Sequence, residues 1–214
     1  MNPIPEAAQV AEAARRLGRE LSGEEARLLA VYLGLLVKWN SRMNLVGPSA
    51  WPEMLETLIQ DSWHLADLLG ELEPQPGLTL DLGAGAGLPG IPLRVFWRSG
   101  AYHLVEPRQK RAIFMEQAVA HMRLPDTRVS CRRMEALPPE LRRADLIVSR
   151  AFMPWRKLLA EVRPCLAPHG RVLVMSNEDS AETVDGYTLE QVRGYAVAGK
   201  KRWFRLFGRV GEGF

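Results

Sequence analysis

The chain has 214 residues, 47% of them apolar and 25% charged, with a net charge of +3. That length suits one domain or one domain with a small appendage, and the composition is ordinary for a globular protein with a full core. No apolar run approaches the ~18 residues that span a bilayer, and Met1 to Arg16 lacks the basic start and apolar core of a secretory signal. Cys131 and Cys165 are too few for a disulfide framework and lack metal spacing. Neither membrane nor metal is expected, both cysteines read as small core hydrophobes, and a cytoplasmic monomer is the expectation.

In chain order, residues from about Glu6 to Leu69 read as helical. Ser22 with Glu25 three residues on forms a capping-box pattern. Leu28, Leu29, Tyr32, Leu33, Leu35, Leu36 and Trp39 then recur at helical spacing. Asn40 to Pro48 breaks the pattern, a further helix runs from Trp51 to Leu69 and ends at Gly70, and Pro74, Pro76 and Gly77 form a joint. From Leu78 short apolar runs alternate with longer amphipathic ones. Residues 78–82, 101–105, 127–131, 144–149 and 170–175 read as strands, and Lys110 to His121 and Trp155 to Arg163 as helices. Alternation of this kind predicts a parallel sheet with helices on both faces. Weaker strand text lies near Tyr195 to Val197 and Trp203 to Val210. The expected organisation is a helical segment over 1–74 packed on an α/β domain over 75–214 as one compact unit.

The run Leu80-Asp81-Leu82-Gly83-Ala84-Gly85-Ala86-Gly87-Leu88-Pro89-Gly90 carries the most chemistry. A strand ends in an acidic residue, a glycine-dense turn follows, and a helix can begin after it. Nucleotide-like cofactors bind at such turns because small residues let the ligand reach the backbone. Gly85, Gly87 and Gly90 satisfy G-x-G-x-x-G, but a carboxylate two residues before the first glycine of a nest sits badly beside a pyrophosphate. It suits a cationic ligand, and S-adenosylmethionine carries an ammonium and a sulfonium. Asp81-x-Gly83-x-Gly85-x-Gly87 resembles the first motif of class I S-adenosylmethionine-dependent methyltransferases. A nicotinamide or flavin site and a purely structural turn are the other readings. Glu106, at the end of the next strand, is placed to bond ribose hydroxyls in either cofactor class, or is a solvated strand end.

Two charge clusters are candidates for nucleic acid. Arg108 to Arg143 holds nine Lys/Arg against four Asp/Glu, and Gly199 to Arg205 interleaves cations with aromatics. Clustered cations hold phosphates and exposed aromatics stack on bases. The alternative is a solvated helix face and a terminal strand whose aromatics point inward.

Further patterns appear in a fixed order: Lys38-Trp39-Asn40, Met43-Asn44-Leu45, Gln60-Asp61-Ser62, the glycine turn continuing into Ile91-Pro92-Leu93, Lys110-Arg111, Met134-Glu135 and Ser149-Arg150-Ala151-Phe152. Together they resemble the bacterial small-subunit rRNA guanine-N(7)-methyltransferase family, also called glucose-inhibited division protein B, over about 30 to 175. Gly87-Leu-Pro-Gly-Ile-Pro-Leu and Ser149-Arg-Ala-Phe are its most specific parts.

The resemblance implies an α/β, Rossmann-like class I methyltransferase fold. Its mostly parallel seven-stranded sheet would close in an edge hairpin, with the N-terminal helical segment before it. It implies methyl transfer from S-adenosyl-L-methionine to nitrogen 7 of a guanine in small-subunit (16S) ribosomal RNA, free or in the subunit. The cofactor residues expected are Asp81, Gly83, Gly85, Leu88, Glu106, Met134, Glu135 and Arg150, and the substrate residues Asn44, Arg150, Lys201 and Arg202. Met134 is otherwise a core gap-filler, Glu135 or Arg150 each a member of an ordinary surface ion pair, and Asn44 a cap for its turn. Asp61 with Ser62 is equally a helix-structuring pair or a site element. No catalytic acid, base or nucleophile is expected.

The chain departs from the family at Leu58, Val46 and Ser176, where histidine, threonine and lysine are usual, and in the loose basic motif Lys201-Arg202-Trp203. All four changes fall on the presumed substrate side, which keeps a small-molecule or protein methyltransferase as an alternative. A non-catalytic RNA-binding module is a third reading.

Overall fold

The computed structural model describes residues 4–150, 152–178 and 184–210. Ala151, quoted above within Ser149-Arg-Ala-Phe, lies outside them.

Helix α1 (Ala7–Arg16) and helix α2 (Gly23–Met43) lead the chain. The expected capping box starts α2: the Ser22 hydroxyl accepts from the Glu25 N–H at 3.2 Å, and Glu25 Oε2 accepts from the Ser22 N–H at 2.7 Å. The helix read as continuous from Trp51 is instead three pieces, α3 (Trp51–Met54), a π turn (Leu55–Ile59) and α4 (Gln60–Gly70). Hydrophobic spacing cannot reveal one widened turn, and such turns often mark functional sites.

The α/β part follows as β1 (Leu78–Leu82), α5 (Gly90–Phe96), β2 (Ala101–Val105), α6 (Gln109–Met122), β3 (Thr127–Ser130), β4 (Ala144–Arg150), α7 (Trp155–Val162), β5 (Leu166–Ser176), β6 (Tyr187–Val197) and β7 (Lys200–Arg209). Among the described residues these seven strands form one sheet in the order β3-β2-β1-β4-β5-β7-β6. The first five are parallel, and β7 and β6 close the edge antiparallel. This is the seven-stranded Rossmann-like arrangement expected. The strand order reverses between β1 and β4, the position where open α/β sheets form a ligand crevice beyond their carboxyl ends.

β6 is far longer than the sequence text suggested, while β7 starts three residues earlier and ends one residue sooner. β6 is an edge strand whose residues alternate between exposed and half-buried, so Thr188, Glu190 and Arg193 dilute its apolar signal. Cys165 is buried, but Cys131 is exposed, which corrects the reading of both as core residues. β3 ends at Ser130 on the other edge of the sheet, so Cys131 falls in the following loop.

One apolar cluster joins Leu29, Leu33, Leu36, Trp63 and Leu69 of the helical segment to Ile91, Tyr102, Phe114 and Leu173 of the α/β part. Polar ties reinforce it. Gln75 donates to the carbonyls of Leu69 and Leu72 and accepts from the Trp97 indole. Asp145 Oδ2 accepts from the N–H groups of Gly77 and Leu78, both at 2.9 Å, and so pins the joint before β1. Arg94 is fully buried between α5 and the start of β3. Its guanidinium donates to Thr127 Oγ1 and to the carbonyls of Trp97, Arg98, Ser99, Gly100 and Pro125.

Candidate active site

The glycine turn leaves β1 with three left-handed residues, Gly83 (φ 72), Gly85 (φ 60) and Gly87 (φ 75). Side chains are strained in that region, which explains why the turn is written in glycines. The helical segment holds the turn from one side. Tyr32 of α2 donates to the Ala86 carbonyl at 2.8 Å and Ser62 of α4 to the Pro89 carbonyl at 3.0 Å. The N-terminal helices are therefore part of what shapes the glycine turn.

Asp81 supports the turn from beneath. Its side chain is 1% exposed, and its Oδ2 accepts from the Tyr102 hydroxyl at 3.1 Å. Burial pushes its carboxyl up to about 7, against the pull of Tyr102, the Gly90 N–H and the Arg150 charge. A Cβ at Gly90 would lie 2.5 Å from Asp81 Oδ2, so glycine there lets the carboxylate reach the helix start. Asp81 thus sits below the turn, and the open side belongs to other groups.

On that open side a cavity of about 520 Å³ is lined by Gly83, Glu106, Arg108, Arg111, Arg133 and Phe152. This volume is in the range of small-molecule sites. Glu106 is buried. Its Oε2 accepts from the Gly85 N–H at 3.1 Å and its Oε1 from the Arg108 N–H at 3.0 Å, with Arg111 Nη1 3.9 Å from Oε2. A carboxylate offers about four acceptor positions, so two remain for hydroxyls. Gly83 faces the Phe152 ring so closely that a Cβ would lie 2.4 Å from Phe152 Cδ2. A glycine turn walled by the Phe152 ring, an acid with spare acceptor positions at the end of β2 and arginines at the mouth fit a ligand carrying ribose and carboxylate groups.

A second cavity of about 340 Å³ opens at the ends of β4 and β5, lined by Asp61, Arg150, Ser176, Asn177, Tyr195 and Arg202. Asp61 organises it. Its Oδ2 lies 2.5 Å from Arg202 Nη1 and 3.1 Å from Arg150 Nη2, and its Oδ1 accepts from the Tyr195 hydroxyl at 2.9 Å. Arg202 also donates to the Thr57 carbonyl in the π turn. Burial and the Asp61 charge raise the Tyr195 hydroxyl above its ordinary range, so it stays a donor. Two guanidiniums on one carboxylate leave the cavity with a net positive charge. Leu82 pairs with Ser149, so Gly83 and Arg150 stand at adjacent strand ends and the two cavities neighbour each other.

The other expected residues take different places. Leu88 is half-buried and packs on the large core cluster. Met134 is buried with Leu80, Leu82 and Val105, while Glu135 is exposed and its carbonyl accepts from Arg142 at 2.7 Å. Neither lines the cavity beside Glu106, which Arg133 enters instead. Asn44 is exposed and caps the end of α2 in a left-handed conformation (φ 50). Lys201 is exposed, and strand alternation turns it away from Arg202. Sequence reasoning did not place Tyr195 or Arg133 at the site and left Asp61 undecided. The motif around Asp61 was its only local signal, because its partners come from 89 to 141 residues away.

This fold, with a glycine turn and an acidic strand end at the sheet's reversal point, defines a Rossmann-like S-adenosylmethionine-dependent methyltransferase. The family model described as rRNA small subunit methyltransferase G matches residues 25–202. A relative of that name from Nitratidesulfovibrio vulgaris (strain DP4) is 46% identical over 193 residues, covering 89% of this chain and 88% of its own. Another of that name, from Lawsonia intracellularis, is 42% identical over 192 residues, covering 88% and 89%. A crystal structure of a methyltransferase from Geobacter sulfurreducens superposes with a TM-score of 0.60 at 14% identity, over 97% of this chain and 100% of its own, and shows the shared fold. The chain belongs to the rRNA small subunit methyltransferase G family.

Proposed function

We infer that the protein transfers a methyl group to nitrogen 7 of a guanine in small-subunit ribosomal RNA, acting as a cytoplasmic monomer on the free RNA or the subunit. The observation that carries this reading is the adjacency of the two cavities. One suits the cofactor and the other, with net positive charge, suits a nucleotide and its phosphate.

When bound, S-adenosylmethionine supplies a methyl group made electrophilic by its positive sulfur. Glu106 would hold the ribose hydroxyls, the backbone beside Gly83 would approach the ligand, and Arg108, Arg111 or Arg133 would meet its carboxylate. Nitrogen 7 of guanine presents an in-plane lone pair and has no proton to lose, so no residue acts as base. The protein's task is alignment, and fixing two reactants in near-attack geometry can supply about 7–11 kcal/mol. Arg150 and Arg202, steadied by Asp61, donate to the flipped nucleotide's phosphate or its O6 edge. Asn44 and Lys201 are candidates for more distant RNA contacts.

The test is transfer of labelled methyl from S-adenosylmethionine to isolated small subunits, naked ribosomal RNA and a protein extract, followed by nucleoside analysis. 7-Methylguanosine in ribosomal RNA supports the reading and shows which form is the substrate. Label in protein alone, or none in RNA, overturns it.

A further inference from the structure

We propose that the groove between α2 and α6 is a track for single-stranded RNA that leads the substrate strand to the cofactor cavity. This inference rests on the RNA reading above and names the surface that would serve it.

The groove encloses about 550 Å³ and is lined by Lys38, Trp39, Arg42, Met43, Lys110, Ile113 and Gln117. None of these residues is acidic. Lys38, Arg42 and Lys110 are exposed, and their side chains make no ion pair among the described residues. Some other surface cations are held in ion pairs: Arg15 and Arg16 share Glu12, Arg27 pairs with Glu24 and Arg171 with Glu190. Three unpaired cations in one groove repel each other and are free to neutralise phosphates, which releases the counterions condensed on a nucleic-acid backbone and so drives binding.

The groove also carries aromatic surface. Trp39 is half-buried, packing its ring against Phe114 at 5.8 Å and 64° while the rest faces the groove beside Ile113, which is 39% exposed. A fixed indole among cations is the combination by which proteins bind unpaired bases without reading sequence.

Position ties the groove to the chemistry. Lys110 lines the groove, while Arg108 and Arg111, on either side of it at the start of α6, line the cofactor cavity. A strand lying in the groove thus passes from Lys38 and Arg42 over the first turn of α6 to the cavity mouth.

The test compares two triple variants of the full chain that lose equal charge. One is Lys38→Gln/Arg42→Gln/Lys110→Gln, and the other is Arg15→Gln/Arg16→Gln/Arg27→Gln, taken from the ion-paired cations. The probe is a labelled single-stranded oligoribonucleotide of roughly 12 nucleotides, within the span such surfaces track. Binding is followed against salt, with S-adenosylhomocysteine affinity measured in parallel. The groove variant should bind the RNA at least about 10-fold more weakly and lower the log–log salt slope by about 2, since each single-strand phosphate contact contributes about 0.7. Its S-adenosylhomocysteine affinity and the RNA binding of the second variant should stay at the wild-type level. Unchanged RNA binding by the groove variant, equal weakening in both variants, or no RNA binding by the wild type overturns the proposal. Wild-type methyl transfer to small subunits, run alongside, separates the two readings. Transfer with an indifferent groove variant sinks the track alone, and RNA binding without transfer sinks the proposed activity alone.

Discussion

Asp61 and Arg202 stand 141 residues apart in sequence and 2.5 Å apart in the fold. The same Asp61 oxygen also holds Arg150, and the other accepts from Tyr195, so one buried carboxylate gathers β4, β6 and β7 around the end of the sheet. Both arginines are less than a quarter exposed, so the carboxylate sets their direction with little competition from water.

Asp61→Asn leaves two guanidiniums facing each other around a neutral amide. Removing the charge of a buried pair strands its partners, so a loss of about 2–4 kcal/mol in stability is expected. With both arginines misaimed, kcat/KM for methyl transfer should fall by about tenfold or more. S-Adenosylhomocysteine affinity should stay within about threefold, since this cavity lies beside the cofactor cavity. Calorimetry and single-turnover transfer at a temperature where the variant is folded check this. Normal transfer would remove Asp61 from the site.

Gly83→Ala puts a methyl group 2.4 Å from Phe152 Cδ2 at a φ of 72. The backbone strain alone is worth about 1–3 kcal/mol. The methyl also forces Phe152, which lines the cavity, out of its place, so cofactor affinity should drop at least about tenfold, or 1.4 kcal/mol. Circular dichroism should show a folded chain. Unaltered titration of S-adenosylhomocysteine would overturn the assignment of the turn.

Asp81 makes stability fall with rising pH. Its carboxyl is raised from an ordinary 3.8 to about 7 in the fold, mainly by burial. Between those values the folded chain keeps a proton that the unfolded chain has released, so the native state binds more protons and stability declines as pH rises. Asp81→Asn has nothing to titrate there. Thermal unfolding from pH 4.5 to 8 should show the wild type losing ground to the variant as pH rises. Parallel curves would mean that Asp81 is ionised in the fold throughout.

Arg94→Lys tests the buried guanidinium. Lysine brings three donors to a place where arginine serves five carbonyls and a hydroxyl. Each buried acceptor left bare costs about 1–3 kcal/mol, and several are exposed to that fate. Denaturant unfolding should show a loss of at least about 3 kcal/mol with the S-adenosylhomocysteine stoichiometry unchanged. A loss below 1 kcal/mol would mean that water or a shifted loop replaces the guanidinium.

Much of this was legible locally. Strand and helix alternation from Leu78 onward reports the parallel sheet, because strands buried on both faces are written in unbroken apolar runs. The Ser22–Glu25 box and the glycine turn are equally local, each being a few residues satisfying their own backbone. β6 was faint because an edge strand buries only part of itself. The π turn was invisible because hydrophobic spacing hardly registers a single widened turn.

By itself the sequence determined the α/β class, the left-handed glycine turn after β1, and the family, since all three rest on short segments whose spacing is their signal. Only the tertiary structure decided which side chains meet. It turned Asp81 beneath the turn, left Glu106 facing the cavity, sent Met134 into the core, and brought Asp61, Arg150, Tyr195 and Arg202 together from four separate elements. Such meetings depend on the register of distant strands and on how α4 packs against the edge hairpin. Those are properties of the whole chain's burial of apolar surface, and no single segment encodes them.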